Sequence, residues 1–187
     1  MKLNQSLASI ASLEDFHTHM ATETESELLR KQQAYGADHI CLVPPLSRLG
    51  LLYQHMAKDD ARAVHYHTEA RRILELQLNE ELSSNRMDDD ASDQQRTAIT
   101  EDLAATLNDL AFLHERQGDI EAAARDYTTA QHLLENIDCS HKKNLLDTCT
   151  RGLARLFRSP TEAPMTTMAH HSTSSPSTRK PINSRCA

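Results

Sequence analysis

Two segments of this chain repeat one spacing of large and small residues, and this repeat limits the fold more than any other feature. Each segment has a Leu-small pair, a polar turn and then two alanines seven residues apart: Leu49-Gly50 with Ala63 and Ala70, and Leu110-Ala111 with Ala123 and Ala130. Two antiparallel helices pack closely only where small residues lie at their crossing. Each segment therefore predicts a helical hairpin.

The composition agrees with an all-helical fold. The 187 residues include four Gly, six Pro and no Trp, whereas Leu, Ala, Glu, Gln and Arg, which have a strong intrinsic helix preference, are abundant. A chain of this length can bury one core of ordinary size. We therefore expect an all-α fold, a short α-α superhelix of antiparallel hairpins.

The turns inside the two hairpins differ. In the second, Gly118 can adopt the left-handed conformation that ends a helix, and the carboxylate of Asp119 can accept backbone N–H bonds at the start of the next helix. The first turn, at 57–60, contains no glycine and is one residue longer. The second hairpin is therefore the more regular of the two.

The spacing between the two hairpins is too long for a simple repeat. Leu110 follows Leu49 by 61 residues. The segment 83–92 is polar, acidic and free of core residues, so we predict that it is a mobile insertion. Ser92 with Gln95 is typical of a capping box that would start the next helix.

Further helices are predicted on both sides of the hairpins. Upstream, apolar residues predict a first helix that reaches Phe16, and Thr22 with Glu25 marks the start of a second helix that stops at Gly36. These helices of residues 1–36 would form a degenerate leading repeat before the repeat domain at 37–157. We expect them to supply the third unit that such arrays tend to need.

At the other end, a lone amphipathic helix is predicted at about 141–158, with Leu153-Ala154 as its Leu-small pair. Such a helix usually caps an array of stacked hairpins. The remaining segment, 159–187, is rich in Ser, Thr and Pro and has no hydrophobic periodicity. We expect it to be a disordered tail.

The hairpins resemble tetratricopeptide repeats, and in particular those of kinesin light chains. The run TLNDLAFLH at 106–114 is similar to that family's recurring Thr-Leu-Asn-Asn-Leu-Ala-x-Leu-Tyr, and LLRKQQAYGADH at 28–39 resembles the end of such a repeat. The family's periods are about 34 or 42 residues, which is why an insertion is expected here. The resemblance implies a scaffold of stacked hairpins, and a scaffold alone does not determine function.

The resemblance also implies a binding groove along the first helix of each hairpin and the capping helix. It assigns these groove positions: Ser47, Arg48, Leu51 and His55; Asn108, Asp109, Phe112 and Arg116; Arg151 and Arg155. The amide of Asn108 could hold a peptide backbone, because it donates and accepts hydrogen bonds at once. Phe112 would be an apolar anchor. Asp109 would repel the carboxylate at a chain end.

Arginines of the capping helix bear on the charge of the partner. Arg151, Arg155 and Arg158 are spaced four and three residues apart, so they would lie along one helix face. If that face joins the groove, it favours a partner with acidic residues. The alternative is a solvated outer face that compensates the helix dipole.

Charge, apolar runs and cysteine content limit the kind of partner and the cellular compartment that we expect. The net charge is −7, with +3 from Arg158 onward and −10 in the rest, which argues against nucleic acid as the main partner. No apolar run approaches the roughly 20 residues that cross a bilayer, and the N-terminus lacks a signal peptide's apolar run. The four cysteines form no CxxC pair, which suits a reducing compartment. We therefore expect a cytoplasmic protein without a membrane partner.

The sequence offers little for catalysis, a cofactor or a metal ion. The pairs His17/His19 and His65/His67 are two residues apart, and such residues point to different sides of a helix. Phosphate loops and zinc-protease motifs are absent from the sequence. We predict a non-enzymatic adaptor or scaffold that binds a partner peptide or helix. The alternatives are a self-associating structural or regulatory subunit and, less favoured, a small metal-dependent enzyme.

Overall fold

The computed structural model describes residues 2–83 and 90–158, with the backbone alone for residues 2–14. In this part of the chain there are six α-helices and no strand: α1 Lys2–Tyr35, α2 Val43–Leu52, α3 Asp60–Ser83, α4 Asp90–Gln117, α5 Ile120–Glu135 and α6 Lys142–Leu156. A 3-10 turn at Ile40–Leu42 precedes α2, and a π-helical turn at Tyr53–Ala57 follows it. The predicted all-α fold is confirmed.

The helices stack as two hairpins with a helix at each end. We call α2 with α3 hairpin 1, and α4 with α5 hairpin 2. Each helix packs on the next in the chain, and α4 also packs on α6. Thus α2, α4 and α6 form one layer and α3 and α5 the other. Buried leucines of α2, α3, α4 and α5 lie in one shared core between the layers.

Hairpin 2 turns as the sequence predicts. Gly118 has φ +80°, a left-handed conformation that costs glycine little. The Asp119 side chain then accepts a hydrogen bond from the Ala122 N–H at 3.0 Å and so caps the first turn of α5.

Hairpin 1 reaches a similar turn without glycine. Lys58 is left-handed, with φ +51°, and the Asp59 carboxylate accepts a hydrogen bond from the Arg62 N–H at 3.1 Å. The extra residue is absorbed by the π-helical turn, since the Asp59 N–H bonds to the carbonyl of Tyr53, six residues back. In hairpin 2 the Asp119 N–H bonds five residues back, to His114.

Small residues lie at the helix crossings. Ala63, Ala70, Ala123 and Ala130 have no exposed surface. A methyl group at Gly50 would overlap the ring of His67 in α3, so hairpin 1 closes around a glycine.

In α6 the crossing residue is Gly152, where a methyl group would overlap the ring of Tyr127. The predicted pair Leu153-Ala154 is therefore wrong as the crossing, because Ala154 is exposed.

The predicted pair of N-terminal helices is wrong, because α1 is one helix of 34 residues. No glycine or proline interrupts it before Gly36, which ends it with φ +92°. The Thr22 hydroxyl bonds to the carbonyl of Thr18 in the preceding turn, so it does not cap a new helix. In place of a leading hairpin, a single helix packs on α2.

The predicted insertion at 83–92 needs correction as well. The helices α3 and α4 reach Ser83 and Asp90, so only 84–89 lies outside the described residues. Ser92 lies inside α4, and Gln95 donates to the Glu81 carboxylate at 2.9 Å, so the capping box is wrong. Most of the excess length is a longer α3 and α4, with 24 and 28 residues.

The C-terminal part of the chain is described as far as Arg158. Helix α6 lies within the segment for which a capping helix was predicted. The predicted disordered tail, 159–187, lies outside the described residues. Among the helices that the structure describes, none has the length and apolar character that a bilayer crossing requires.

Candidate functional site

The predicted groove positions lie on the layer formed by α2, α4 and α6. Three side-chain contacts join α4 to α6 at separations of 40 or 41 residues: Glu101 with His141 at 2.7 Å, Asn108 with Cys149 at 3.6 Å and Glu115 with Arg155 at 2.8 Å. Residue numbers rise together along both helices, so α4 and α6 run parallel and in register. The layer therefore presents the side chains of successive first helices next to one another.

Arg116 connects α4 to the end of hairpin 1. Its guanidinium forms an ion pair with Asp60 at 3.2 Å and donates to the carbonyl of Gln54 at 3.5 Å. It also lies over the ring of Phe112, 5.9 Å from the centroid. This predicted groove residue therefore holds the two hairpins together.

Arg155 is likewise used inside the protein. It makes a two-pronged pair with Glu115, at 2.9 and 2.8 Å, and approaches the Tyr127 hydroxyl at 3.4 Å. The guanidinium lowers the pKa of Glu115. The Tyr127 hydroxyl donates to Glu115 at 3.2 Å. Arg155 thus fastens α6 to α4.

Arg48 bonds away from the layer, to Glu27 of α1 at 3.0 Å. Lys31 and Arg48 together lower the pKa of Glu27.

Arg151 bonds only within α6, to the carbonyl of Asp147 and the hydroxyl of Thr148. It is exposed and lies four residues before Arg155, on the same side of α6. Arg48, Arg116 and Arg155 therefore form ion pairs with other helices, whereas the described bonds of Arg151 stay within α6. The acidic partner stays a prediction.

Asn108 and Asp109 form the polar centre of the layer. The Asn108 amide oxygen accepts a weak hydrogen bond from the buried thiol of Cys149, whose pKa burial raises to about 11. Burial also raises the pKa of Asp109 to about 6, and a hydrogen bond from Asn108 opposes this only in part. Asp109 has no ion-pair partner among the described residues.

Apolar surface accompanies this polar centre. Leu51 of α2 is 41% exposed, and Phe112 of α4 is partly exposed. His55 is exposed, and Ser47 is partly exposed. We call these residues with Asn108, Asp109 and Arg116 the α2–α4 face. Arg116, which contacts both Phe112 and Asp60, joins the α4 part of this face to hairpin 1.

The sequence did not identify the residues that hold the arginines. These are Glu27, Gln54, Asp60, Glu115 and Tyr127. Each pairs with an arginine from another helix, and no local pattern predicts such a contact. Only Tyr127 carried a signal, since it lies in the aromatic position between the two alanines of α5.

The histidine pairs do not form a metal site among the residues that the structure describes. His67 is fully buried beside Gly50, whereas His65 is exposed. In the described part of the chain, no group of three or more His, Cys, Asp or Glu side chains is arranged to hold a metal ion.

The chain matches no protein-family model, and none of the curated proteins is significantly similar to it. The likeness to tetratricopeptide repeats therefore remains a prediction, and it rests on the residues quoted from the sequence.

Proposed function

We propose that this chain is a non-catalytic protein-interaction module, an adaptor or scaffold, that binds a peptide or helix of a partner on the α2–α4 face. The observation that carries the proposal is apolar surface on the first helices of both hairpins: Leu51 of α2 is 41% exposed and Phe112 of α4 is partly exposed. Buried aromatic and aliphatic anchors supply most of the energy of protein interfaces.

Rigid support of the face favours this function. Arg116 of α4 pairs with Asp60 at the start of α3, which joins the two hairpins. Arg155 of α6 pairs with Glu115, which joins α6 to α4. A face that is already ordered loses little conformational entropy on binding. The likeness to tetratricopeptide repeats supports the same face, because stacked hairpins present their first helices to a ligand.

Selection of binding peptides tests the proposal. A library of random peptides displayed on phage is panned against the full chain, and one enriched peptide is synthesised and titrated by fluorescence anisotropy. We expect Leu51→Ser combined with Phe112→Ser to weaken binding about tenfold or more. Leu76→Ser is a matched control, because Leu76 is 40% exposed on α3, outside the face.

Two results would contradict the proposal. One is the absence of any enriched peptide after panning. The other is binding that Leu76→Ser weakens as much as the double substitution does. Circular dichroism on each variant verifies that the helices are intact. Light scattering at low and high concentration tests self-association, the alternative function, which predicts a mass that rises with concentration.

A further inference from the structure

We propose that the segment bound by the α2–α4 face is basic, with a Lys or Arg that pairs with Asp109 and a neighbouring apolar side chain that packs on Phe112. The inference deepens the proposed function and rests on it. It reverses the acidic partner that the spacing of the arginines predicts.

The positive charges of the face are already compensated within the chain. Arg116 is paired with Asp60, and Arg155 with Glu115. Arg48 is paired with Glu27 and so belongs to the contact with α1. An acidic peptide would have to break one of these ion pairs to find a partner, and would gain little in exchange.

The negative charge of the face is not compensated. Asp109 is the only carboxylate among the residues of the α2–α4 face, and it has no ion pair with a described residue. Its side chain is largely surrounded by protein, and the Asn108 amide is the one group that favours its charged form. A carboxylate held partly out of water without a counter-charge is costly. A cation from a ligand would relieve that cost.

Helix geometry sets the spacing of the two anchors. Asp109 and Phe112 are three residues apart on α4, so they are neighbours on one side of the helix. The ligand therefore presents its cation and its apolar group close together. The net charge of −10 that precedes Arg158 also attracts a basic segment and speeds its approach.

Charge substitutions at Asp109 test the inference with the full chain and the displayed library. We expect peptides enriched on the unaltered protein to contain Lys or Arg next to an apolar residue. Asp109→Asn should weaken the best of them about tenfold. Asp147→Asn, which removes an exposed carboxylate from α6, should leave the affinity unchanged. Asp109→Lys should enrich acidic peptides in place of basic ones.

Certain results overturn this inference and leave the proposed function intact. Peptides that lack basic residues, or that bind Asp109→Asn as tightly as the unaltered chain, would exclude the pairing. If Leu51→Ser with Phe112→Ser still weakens those peptides, the face binds through apolar contacts alone. A panning experiment that enriches nothing overturns both proposals.

Discussion

Hairpins 1 and 2 have the same framework and differ at one buried ring. In α5 the buried residues follow the order Ala123, Tyr127, Ala130, Leu134, and in α3 the same spacing gives Ala63, His67, Ala70, Leu74. The Tyr127 hydroxyl bonds to Glu115 and Arg155. Both ring nitrogens of His67 are buried without a hydrogen-bond partner among the described residues.

From this difference we predict that one packing pattern supports two hairpins of unequal stability. The Tyr127 hydroxyl is hydrogen-bonded to Glu115 and Arg155 where hairpin 2 contacts α6. His67 has the equivalent position in α3, but it packs on Gly50 of its own hairpin and leaves two polar atoms unsatisfied. A buried polar atom without a partner costs about 1 to 3 kcal/mol. Hairpin 1 should therefore be the weaker unit.

Truncation of the two rings should give the largest difference. Tyr127→Ala removes a fully packed ring and leaves Glu115 and Arg155 without its hydroxyl, so we expect a loss of about 3 to 5 kcal/mol. His67→Ala removes a smaller ring together with two unsatisfied atoms, so the loss should be below about 2 kcal/mol. Urea denaturation measures both changes. Equal losses would contradict the proposed inequality.

Overpacking of the crossings should instead affect both hairpins alike. Ala130→Leu in α5 and Ala70→Leu in α3 each insert a side chain where no surface is exposed. We expect a loss of about 1 to 3 kcal/mol from each. Ala61→Leu, at an exposed position of α3, is the control and should change stability by less than about 0.5 kcal/mol. An unchanged melting temperature for Ala130→Leu would argue against hairpin 2 as described.

Acid should weaken hairpin 1 through His67. Burial, with a smaller effect from His55, lowers the pKa of His67 to about 4 from an ordinary 6.5. Between these values the unfolded chain binds more protons than the folded one, so stability falls as the pH falls through that window. The part of the loss that His67 contributes between pH 7 and pH 5 should be about 2 kcal/mol.

The variant His67→Leu isolates this contribution, because leucine does not titrate. Denaturation of the two proteins at pH 7 and pH 5 measures the difference in their pH dependence. Tyr127, whose pKa is raised to about 12, does not titrate in this range. Burial raises the pKa of Asp109 in hairpin 2 to about 6, so the folded chain binds more protons at Asp109 and acid favours folding there, with the opposite sign to His67. The same pH dependence in both proteins would show that His67 is not the titrating group.

Substitutions in the two turns should give the smallest changes in stability. Lys58→Gly relieves a left-handed backbone at a non-glycine residue and should stabilise the protein by about 0.5 to 1 kcal/mol. The reciprocal change, Gly118→Ala, imposes that strain on hairpin 2 and should cost about 1 kcal/mol or slightly more. Thermal melting of both variants gives the comparison. A destabilising Lys58→Gly would mean that the two turns are not equivalent.

Sequence patterns predicted the parts of the fold that depend on local signals. The turn at Gly118 and Asp119 is as expected, because both residues act within their own hairpin. The start of a helix at Thr22 was wrong, because the same pattern occurs inside a helix when the hydroxyl bonds to the preceding turn. Polar composition at 83–92 likewise did not prevent α4 from beginning at Asp90.

The groove positions and the charge of the partner stay predictions, but the structure shows what the predicted arginines bind within the chain. Spacing on α4 was sufficient to place Asp109, Phe112 and Arg116 along one side of that helix. The partners of the arginines lie on other helices, for example Asp60 for Arg116 and Glu115 for Arg155, 40 residues or more away. Such pairs depend on the tertiary arrangement, so the sequence alone suggested free arginines and an acidic partner.

The central claim is that hairpin 1 is less stable than hairpin 2 because of the difference between His67 and Tyr127. Amide hydrogen exchange at neutral pH tests this claim most directly. We expect the amides of α3 around His67 to exchange about tenfold faster or more than those of α5 around Tyr127, because hairpin 1 opens first. His67→Leu should slow exchange in α3 and narrow the gap. Equal protection of α3 and α5, or a gap that His67→Leu leaves unchanged, would contradict the account.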